Sequence, residues 1–356
     1  MVLLLANNNG AGLFVIGGLF FVMALVLLLP FFSKRVEEEL EIFLFIMGII
    51  SVSISKLWNL HLLKEALVEP IKITLAVLIA GLLFRILRSK IAKSTVALES
   101  RFGNNVLVFI IVVGLGLISS VITAIIAALI LSEVLGVLNL SRRCKIKVAV
   151  ISCFSIGLGA ALTPIGEPLA TIAISRLQGP PHNADFLFLF RNLSKFVIPA
   201  IFVLGIYAAF LKESPGSKPA SKIDEPETTA GIFFRALKIY LFVLALVFLG
   251  TGFTPVVEKY VVNMPAFVLY WVNMVSAILD NATLTAAEIS QAMTAKQIEF
   301  LLMGLLIAGG MLIPGNIPNI ICAKKLSIKS REWALFGVPL GLAMMAGFFI
   351  ILIAAR

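Results

Sequence analysis

Residues 159–173 read GAALTPIGEPLATIA and lie inside a long apolar stretch of the chain. They include Pro164, Gly166, Glu167 and Pro168. Each proline removes a backbone hydrogen-bond donor and clashes with the preceding turn of a helix. In hydrocarbon, such a break is tolerated only where protein or a water-filled cavity surrounds it. The segment therefore predicts a transmembrane helix that is interrupted inside the protein.

A second segment of this kind lies in the other half of the chain. Residues 309–323 read GGMLIPGNIPNIICA, with Pro314, Gly315 and Pro318 at the break. An ungapped alignment of the two segments pairs Gly159 with Gly309, Leu162 with Leu312, Pro164 with Pro314, Pro168 with Pro318 and Ala173 with Ala323. Interrupted segments at corresponding places in two halves of a membrane protein are the best sequence indication of a transporter's binding site.

The composition indicates an all-α polytopic membrane protein. Of the 356 residues, 60% are hydrophobic and only 13% are charged, whereas a soluble domain has about 25% charged residues. The net charge of +10 fits basic residues gathered in cytoplasmic loops, so the expected partner is the lipid bilayer and not nucleic acid. The expected location is the plasma or inner membrane, with several spans.

Cofactor chemistry has little support in the sequence. The three cysteines show no paired spacing and the chain has two histidines, so neither a disulfide framework nor a zinc site is expected. No cofactor is predicted. An enzyme is not expected either, because an intramembrane protease or prenyltransferase would need a catalytic pair or metal cluster that the apolar segments lack. The first apolar run is long enough to span and has no basic segment before it, which argues against a cleaved signal peptide.

Apolar runs predict eight membrane crossings. They lie at residues 13–32, 42–55, 71–86, 148–175, 186–211, 232–249, 298–323 and 333–354. An interfacial helix is expected within 56–70, and basic loops at 88–101 and 141–147. Two further apolar stretches, 104–138 and 261–292, carry polar residues in their centres. Each favours two half-length helices that fold back as a re-entrant hairpin.

The chain divides into two repeats of the same plan. We expect N-terminal helices at 1–70, a first repeat at 71–211, a cytoplasmic linker at 212–230 and a second repeat at 231–356. Each repeat has three crossings, an odd number, so the second repeat is inverted relative to the first. The loops assigned to the cytoplasm hold 20 of the 29 basic residues, which places both termini on the extracytoplasmic side.

Acidic residues within the apolar segments are the strongest functional candidates. Asp280 is the only acid between Glu258 and Glu288, and a charge at the bilayer centre costs about 2.5–3.5 kcal/mol on insertion scales. The alternative is that Asp280 caps a half-helix. Glu167 is the second candidate. Glu133 and Glu288 are expected near the outer ends of the hairpins as solvated or capping acids.

Neutral polar residues gather at the same breaks. Hydroxyls, amide oxygens and free carbonyls at half-helix ends can bind Na⁺. The candidates in the first half are Ser119, Ser120, Thr123, Thr163 and Thr171, and those in the second half are Ser276, Gly315, Asn316 and Asn319. A single serine in a membrane helix is more often a packing residue than a ligand, so the prediction rests on the clustering.

The chain resembles the ion transporter superfamily, which includes NhaD-type Na⁺/H⁺ antiporters, arsenite permeases and divalent anion/sodium symporters. The resemblance is carried by SAILDNAT at 276–283 and by the two glycine-rich breaks, and it covers residues 71–354. It implies that Asp280, Asn281, Thr283 and Asn319 are ion-site residues, that Glu167 matches an acidic position, and that the protein is a homodimer. The first hairpin departs from the family pattern, because Ser119–Thr123 (SSVIT) lacks an Asp-Asn or Ser-Asn-Thr motif.

These observations predict a secondary transporter that exchanges Na⁺, or Li⁺, for H⁺ by alternating access. A buried carboxylate binds a proton and releases it when Na⁺ competes for the same oxygens. Asp280 and Glu167 are the predicted competing groups and the predicted Na⁺ ligands. Two alternatives stay open: Na⁺-coupled symport of a dicarboxylate or other anion, and arsenite efflux.

Overall fold

The computed structural model describes residues 2–33, 35–36, 39–138, 140–211, 229–260, 264–279 and 281–355, with some side chains in these ranges undescribed. These ranges are helical and contain no β-strand. The helices are α1 (Val2–Phe32), α2 (Leu40–Ser55), α3 (Leu60–Ile122), α4 (Ala124–Val137), α5 (Arg142–Ala160), α6 (Pro168–Arg176), α7 (Phe188–Ala209), α8 (Thr229–Tyr260), α9 (Ala266–Val272), α10 (Asn281–Glu288), α11 (Ala295–Gly309), α12 (Ile317–Lys325) and α13 (Ser330–Ala354). Two short 3₁₀ turns lie at Asn273–Ala277 and Ile313–Gly315.

Both predicted helix interruptions are confirmed. The chain leaves the helix after α5 and after α11, and each time it resumes in a helix of nine residues, α6 or α12. Glu167 and Asn316 precede these short helices in extended conformations, with φ of −155° at both residues. Pro168 and Pro318 occupy the first helical turn, where a missing backbone N–H leaves no bond unmade. A proline thus lies in the first turn of the second half of each interrupted helix.

The predicted basic loop at 88–101 is wrong. These residues continue the helix α3, which begins after the N-cap Asn59 and runs to Ile122. Residues 88–101 contain no glycine or proline, and half of them are Lys, Arg, Ala or Leu, which favour helix. The predicted interfacial helix within 56–70 is part of the same helix. Its one residue with non-helical backbone is Gly103, with φ 75° and ψ 162°.

The predicted loop at 141–147 is also helical from Arg142 onward. The Ser141 hydroxyl accepts a hydrogen bond from the Cys144 backbone N–H, so Ser141 is the N-cap that starts α5. The charge of this stretch therefore belongs to the first turns of a helix.

Both stretches predicted as hairpins are interrupted helices. α3 ends at Ile122 and α4 begins at Ala124, with φ 76° at the intervening Thr123. In the second half, α9 passes into the 3₁₀ turn and, after residues 278–280, into α10. α3 packs against α4, and α9 and its 3₁₀ turn pack against α11. Whether these pairs are re-entrant in a bilayer stays a prediction.

Four of the described helices are long and apolar enough to cross a membrane. They are Gly103–Ile122, Phe188–Ala209, Ala230–Val256 and Ser330–Ala354, and shorter apolar helices include Phe14–Pro30 and Leu40–Ser55. The protein is therefore a helical membrane protein, while the eight crossings and the orientation of the termini stay predictions. Most of the predicted linker, residues 212–228, lies outside the described residues.

The short helices pack across the two halves of the chain. α12 packs against α4, and α6 packs against α10. Cys322 of α12 contacts the carbonyl of Ala128 at 3.6 Å, and one turn later Lys325 pairs with Glu133. Both helices therefore run in the same direction, and their N-termini lie at the same end.

The second pair, α6 and α10, has a similar arrangement. The residues that follow the two helices meet, because a Cβ atom on Gly179 would lie 2.8 Å from Nε2 of Gln291. His182 also lies 2.8 Å from the carbonyl of Met293. With the C-terminal ends together, Glu167 and Asn281 lie at the other end of this pair.

Candidate functional site

The second helix interruption brings backbone carbonyls close to an asparagine. A Cβ atom on Gly309, the last residue of α11, would lie 2.5 Å from Nδ2 and 3.1 Å from Oδ1 of Asn281. A Cβ atom on Gly315 would lie 2.5 Å from the Gly309 carbonyl and 2.9 Å from the Ala277 carbonyl. Only glycine allows the chain segments to approach this closely.

Two amide oxygens at this place have no hydrogen-bond partner among the described residues. Asn281 is 4% exposed and Asn319 is fully buried. Oδ1 of both residues, and Nδ2 of Asn281, are unpartnered in the described part of the chain. Buried polar atoms are almost always hydrogen-bonded, so unpartnered ones indicate a place for a bound water, ion or other ligand.

Asn319 fixes the shape of the interruption. Its Nδ2 donates hydrogen bonds of 2.8 Å to the carbonyls of both Gly309 and Leu312. Since the amide nitrogen is held by these carbonyls, the amide oxygen must face away from them. The side chain therefore joins the end of α11 to the start of α12 and presents an acceptor.

The end of α11 adds a favourable electrostatic environment for a cation. The last carbonyls of a helix lack intrahelical partners and carry partial negative charge. With the oxygens of Asn281 and Asn319, the carbonyls at Gly309, Gly315 and Ala277 form a set of hard oxygen acceptors of the kind that binds Na⁺ in transporters. We call these five residues the second-interruption cluster.

The first interruption is arranged differently, because its hydroxyls are already hydrogen-bonded to carbonyls. Ser119 donates to Gly116 and Ile156, and Ser120 donates to Leu117. Thr163 donates to the carbonyl of Ser120. A Cβ atom on Gly159 would lie 1.8 Å from the Gly116 carbonyl, so α3 and α5 are in direct backbone contact here.

The other predicted site residues take several positions. The Thr123 hydroxyl accepts from the N–H of Ile126 as the cap of α4, the Thr171 hydroxyl donates to Pro164, and Ser276 donates to Leu305. Asn316 lies close to Gly157, since a Cβ atom on Gly157 would be 3.1 Å from Nδ2 of Asn316. Glu167 is buried at the start of α6. Asp280 and the side chain of Thr283 lie outside the described residues.

Sequence reasoning missed a buried polar pair in the stretch predicted as the second hairpin. Asn273 is fully buried, Glu288 is 2% exposed, and Nδ2 of Asn273 donates a 2.9 Å hydrogen bond to Oε2 of Glu288. The expectation of a solvated or capping Glu288 is therefore wrong. The signal was available, because the two residues lie seven positions before and eight after Asp280, so they face each other if the chain folds back there.

Residues 16–355 match the family described as Protein of unknown function (DUF1646). The chain belongs to this family. No curated protein matches the chain. The matched range includes both helix interruptions and the Asn273–Glu288 pair.

The C-terminal end of α12 in this DUF1646 protein is held by charged groups. Lys324 forms an ion pair with the buried Glu41 of α2, and Lys325 lies 2.9 Å from Glu133 of α4. Arg142 donates to the carbonyls of Leu326 and Ser327 at 2.8 and 2.6 Å. Glu133 is thus an ion-pair partner, which corrects the expectation of a solvated or capping acid.

The corresponding end of α6 has a different environment. Arg176, its last residue, is exposed, and none of the ion pairs among the described residues joins it to Glu288. In the loop that follows, Asp185 pairs with Arg191 at 2.6 Å. The hydrogen bond from the Arg191 guanidinium lowers the pKa of Asp185 below its usual value. Among the described residues, ion pairs therefore hold the C-terminal end of α12 but not that of α6.

Proposed function

We propose that this protein is a secondary active transporter that exchanges Na⁺, or Li⁺, for H⁺ across the membrane. The observation that carries the proposal is the second-interruption cluster, with the unpartnered oxygens of Asn281 and Asn319 beside the carbonyl end of α11. Such oxygens provide the coordination that replaces the water shell of a small cation.

The packing of the short helices supports an alternating-access architecture of two inverted repeats. α6 and α12 have the same length, and each is preceded by one residue in an extended conformation and carries a proline in its first turn. Each packs against the second helix of the hairpin from the other half, α6 on α10 and α12 on α4. Such an exchange is expected for repeats related by a two-fold axis, with the substrate site between them.

Antiport requires a proton and a cation to exclude each other. Asp280 directly precedes Asn281, so the sequence attaches a carboxylate to the cluster. Glu167 lies at the same end of the α6–α10 pair as Asn281. In the proposed cycle Na⁺ binds the amide and carbonyl oxygens together with a carboxylate, and its departure lets that carboxylate take up a proton.

The experiment is a Na⁺-driven proton flux in proteoliposomes, followed with an entrapped pH dye. Wild type should move protons when a Na⁺ gradient is applied, and Asp280→Asn and Asn281→Ala should abolish the signal. Asn192→Ala is the matched control, because Asn192 donates to Phe188 within α7 and belongs to neither interruption. The absence of any Na⁺- or Li⁺-driven proton movement by folded wild-type protein would reject the proposal.

One observation favours Na⁺-coupled anion symport as a second candidate. The N-termini of α4 and α12 lie at the same end of their pair, preceded by Thr123 and Asn316, and no carboxylate caps either helix. Helix N-termini attract anions. Uptake of a labelled dicarboxylate that depends on a Na⁺ gradient, without proton movement, would select this alternative.

A further inference from the structure

We propose that Glu288, held by Asn273, is a proton-binding site of this protein that is separate from the second-interruption cluster. The inference rests on the proposed function for its role in transport, but proton binding itself can be measured without transport. Two buried oxygens carry the argument: Oε1 of Glu288 and Oδ1 of Asn273 have no partner among the described residues.

Among the described groups around Glu288, none is a counter-charge that would hold it ionised. α10 packs against α6, α8 and α11. The charged groups described on these helices are engaged elsewhere or exposed: Glu299 pairs with Lys195, Lys296 lies over the ring of Phe300, Lys259 lies over Tyr260, Lys238 pairs with Glu39 and Glu41, and Arg176 is exposed. A carboxylate without a nearby cation is strongly disfavoured in an apolar interior.

Asn273 can serve both protonation states of Glu288. An amide offers two N–H donors and one oxygen acceptor. When Glu288 is ionised, Nδ2 of Asn273 donates to Oε2, as observed at 2.9 Å. When Glu288 carries a proton, the carboxyl O–H can donate to the free Oδ1 of Asn273. The second unpartnered oxygen of the pair is therefore the acceptor that the protonated state requires.

Glu288 is followed by exposed residues and shares α10 with Asn281 of the cation cluster. Ser290 and Gln291, two and three residues after Glu288, are exposed. Glu288 is seven residues from Asn281 along α10, which corresponds to about 10 Å at 1.5 Å per residue. Between them the Thr285 hydroxyl donates to the carbonyl of Asn281 at 2.8 Å. Glu288 therefore lies about two helical turns from the cluster residue Asn281.

Glu133 in the first hairpin provides the contrast. It lies on α4, which runs parallel to α12, and Lys325 at the end of α12 approaches it to 2.9 Å. Arg176 holds the equivalent place at the end of α6, yet it forms no described ion pair with Glu288. The described partner of the Glu133 carboxylate is the ammonium group of Lys325, and that of the Glu288 carboxylate is the neutral amide of Asn273. The second hairpin is therefore the one suited to bind and release a proton.

The test is infrared difference spectroscopy of the full-length protein between alkaline and acidic pH, without Na⁺. The carbonyl stretch of a protonated carboxyl is resolved from that of a carboxylate. Wild type should show a titrating band that Glu288→Gln removes and that Asp185→Asn retains. Asn273→Ala keeps the carboxyl and removes the amide, so it should shift the midpoint of that same band. The proposal would be overturned if Glu288→Gln left the titrating infrared bands unchanged, or if Asn273→Ala left the pH midpoint of the band unchanged.

Transport measurements on the same variants separate this inference from the proposed function. Glu288→Gln should retain exchange of labelled Na⁺ for unlabelled Na⁺, which needs only the cation cluster, and shift the pH profile of Na⁺-driven proton movement. Proton movement in Glu288→Gln with the wild-type pH profile would contradict the proposed site. If wild type transports no Na⁺ but Glu288→Gln still removes the infrared band, the function is wrong and the proton site stands.

Discussion

Glu41 of α2 and Lys324 of α12 form an ion pair in which the carboxylate is 1% exposed, and Lys238 of α8 approaches the same carboxylate to 2.7 Å. Three helices that are distant in sequence therefore meet at one acid. Glu41→Gln would leave the two ammonium groups without their shared counter-charge. We expect a loss of about 2–4 kcal/mol in the free energy of unfolding, below the range for a fully buried pair because both lysines keep contact with solvent.

Thermal unfolding in detergent measures this loss, with Glu39→Gln as the matched control. Glu39 pairs with the same Lys238, but its side chain is 49% exposed, so its removal should cost less than about 1 kcal/mol. Equal losses of stability in the two variants would show that the burial of Glu41 does not increase the contribution of its ion pairs.

The close approach at Gly309 predicts a defect in cation binding. The methyl group of Gly309→Ala would lie 2.5 Å from Nδ2 of Asn281, so Asn281 or the end of α11 must move. We expect at least a tenfold weaker apparent affinity for Na⁺, equivalent to about 1.4 kcal/mol. Measurement of Na⁺-dependent transport over a range of concentrations tests this.

Gly136→Ala is the control for Gly309→Ala. Gly136 lies within α4, and a Cβ atom there would meet nothing within 4 Å. Alanine favours helix over glycine by about 1 kcal/mol, so this variant should be as stable as wild type or more so, with unchanged Na⁺ affinity. A Gly309→Ala protein with wild-type affinity would remove this glycine from the site.

Asn319 and Ser119 allow a direct comparison of the two interruptions. Asn319→Ala removes two hydrogen bonds to carbonyls and one free oxygen, so it should weaken both folding, by about 1–3 kcal/mol, and Na⁺ binding. Ser119→Ala removes a hydroxyl that is already bonded to two carbonyls. It should affect stability alone. A large loss of Na⁺ affinity in Ser119→Ala would place a cation at the first interruption as well.

The sequence predicted those features that have a local physical cause. Two prolines four residues apart with a glycine between them predicted each break, at 164–168 and at 314–318. Single prolines such as Pro199 and Pro339 lie inside helices. The helical state of residues 88–101 was missed, because charge suggested a loop although the local propensity favours helix.

Partners from distant parts of the chain could not be read from the sequence. That Lys325 meets Glu133 while Arg176 does not meet Glu288 depends on how the two halves pack. The same holds for Ser119, whose hydroxyl has the chemistry of a ligand but is satisfied by carbonyls of α3 and α5. Composition identified the residue types of the site, and tertiary packing decided which of them have free acceptors.

The last prediction concerns Arg142, which holds the end of α12 through carbonyls of Leu326 and Ser327 and also lies 3.0 Å from Glu332 of α13. Arginine at the C-terminal end of a helix satisfies carbonyls that have no intrahelical partner. Arg142→Gln should lower the free energy of unfolding by about 1–3 kcal/mol. Arg142→Lys should restore little, because lysine lacks the planar fork that reaches three acceptors.

Arg143→Gln is the control. The Arg143 side chain is exposed and bonds to none of the described residues, so its loss should change stability by less than about 0.5 kcal/mol. If Arg142→Gln unfolds at the temperature of Arg143→Gln, the bonds at the end of α12 do not stabilise the fold.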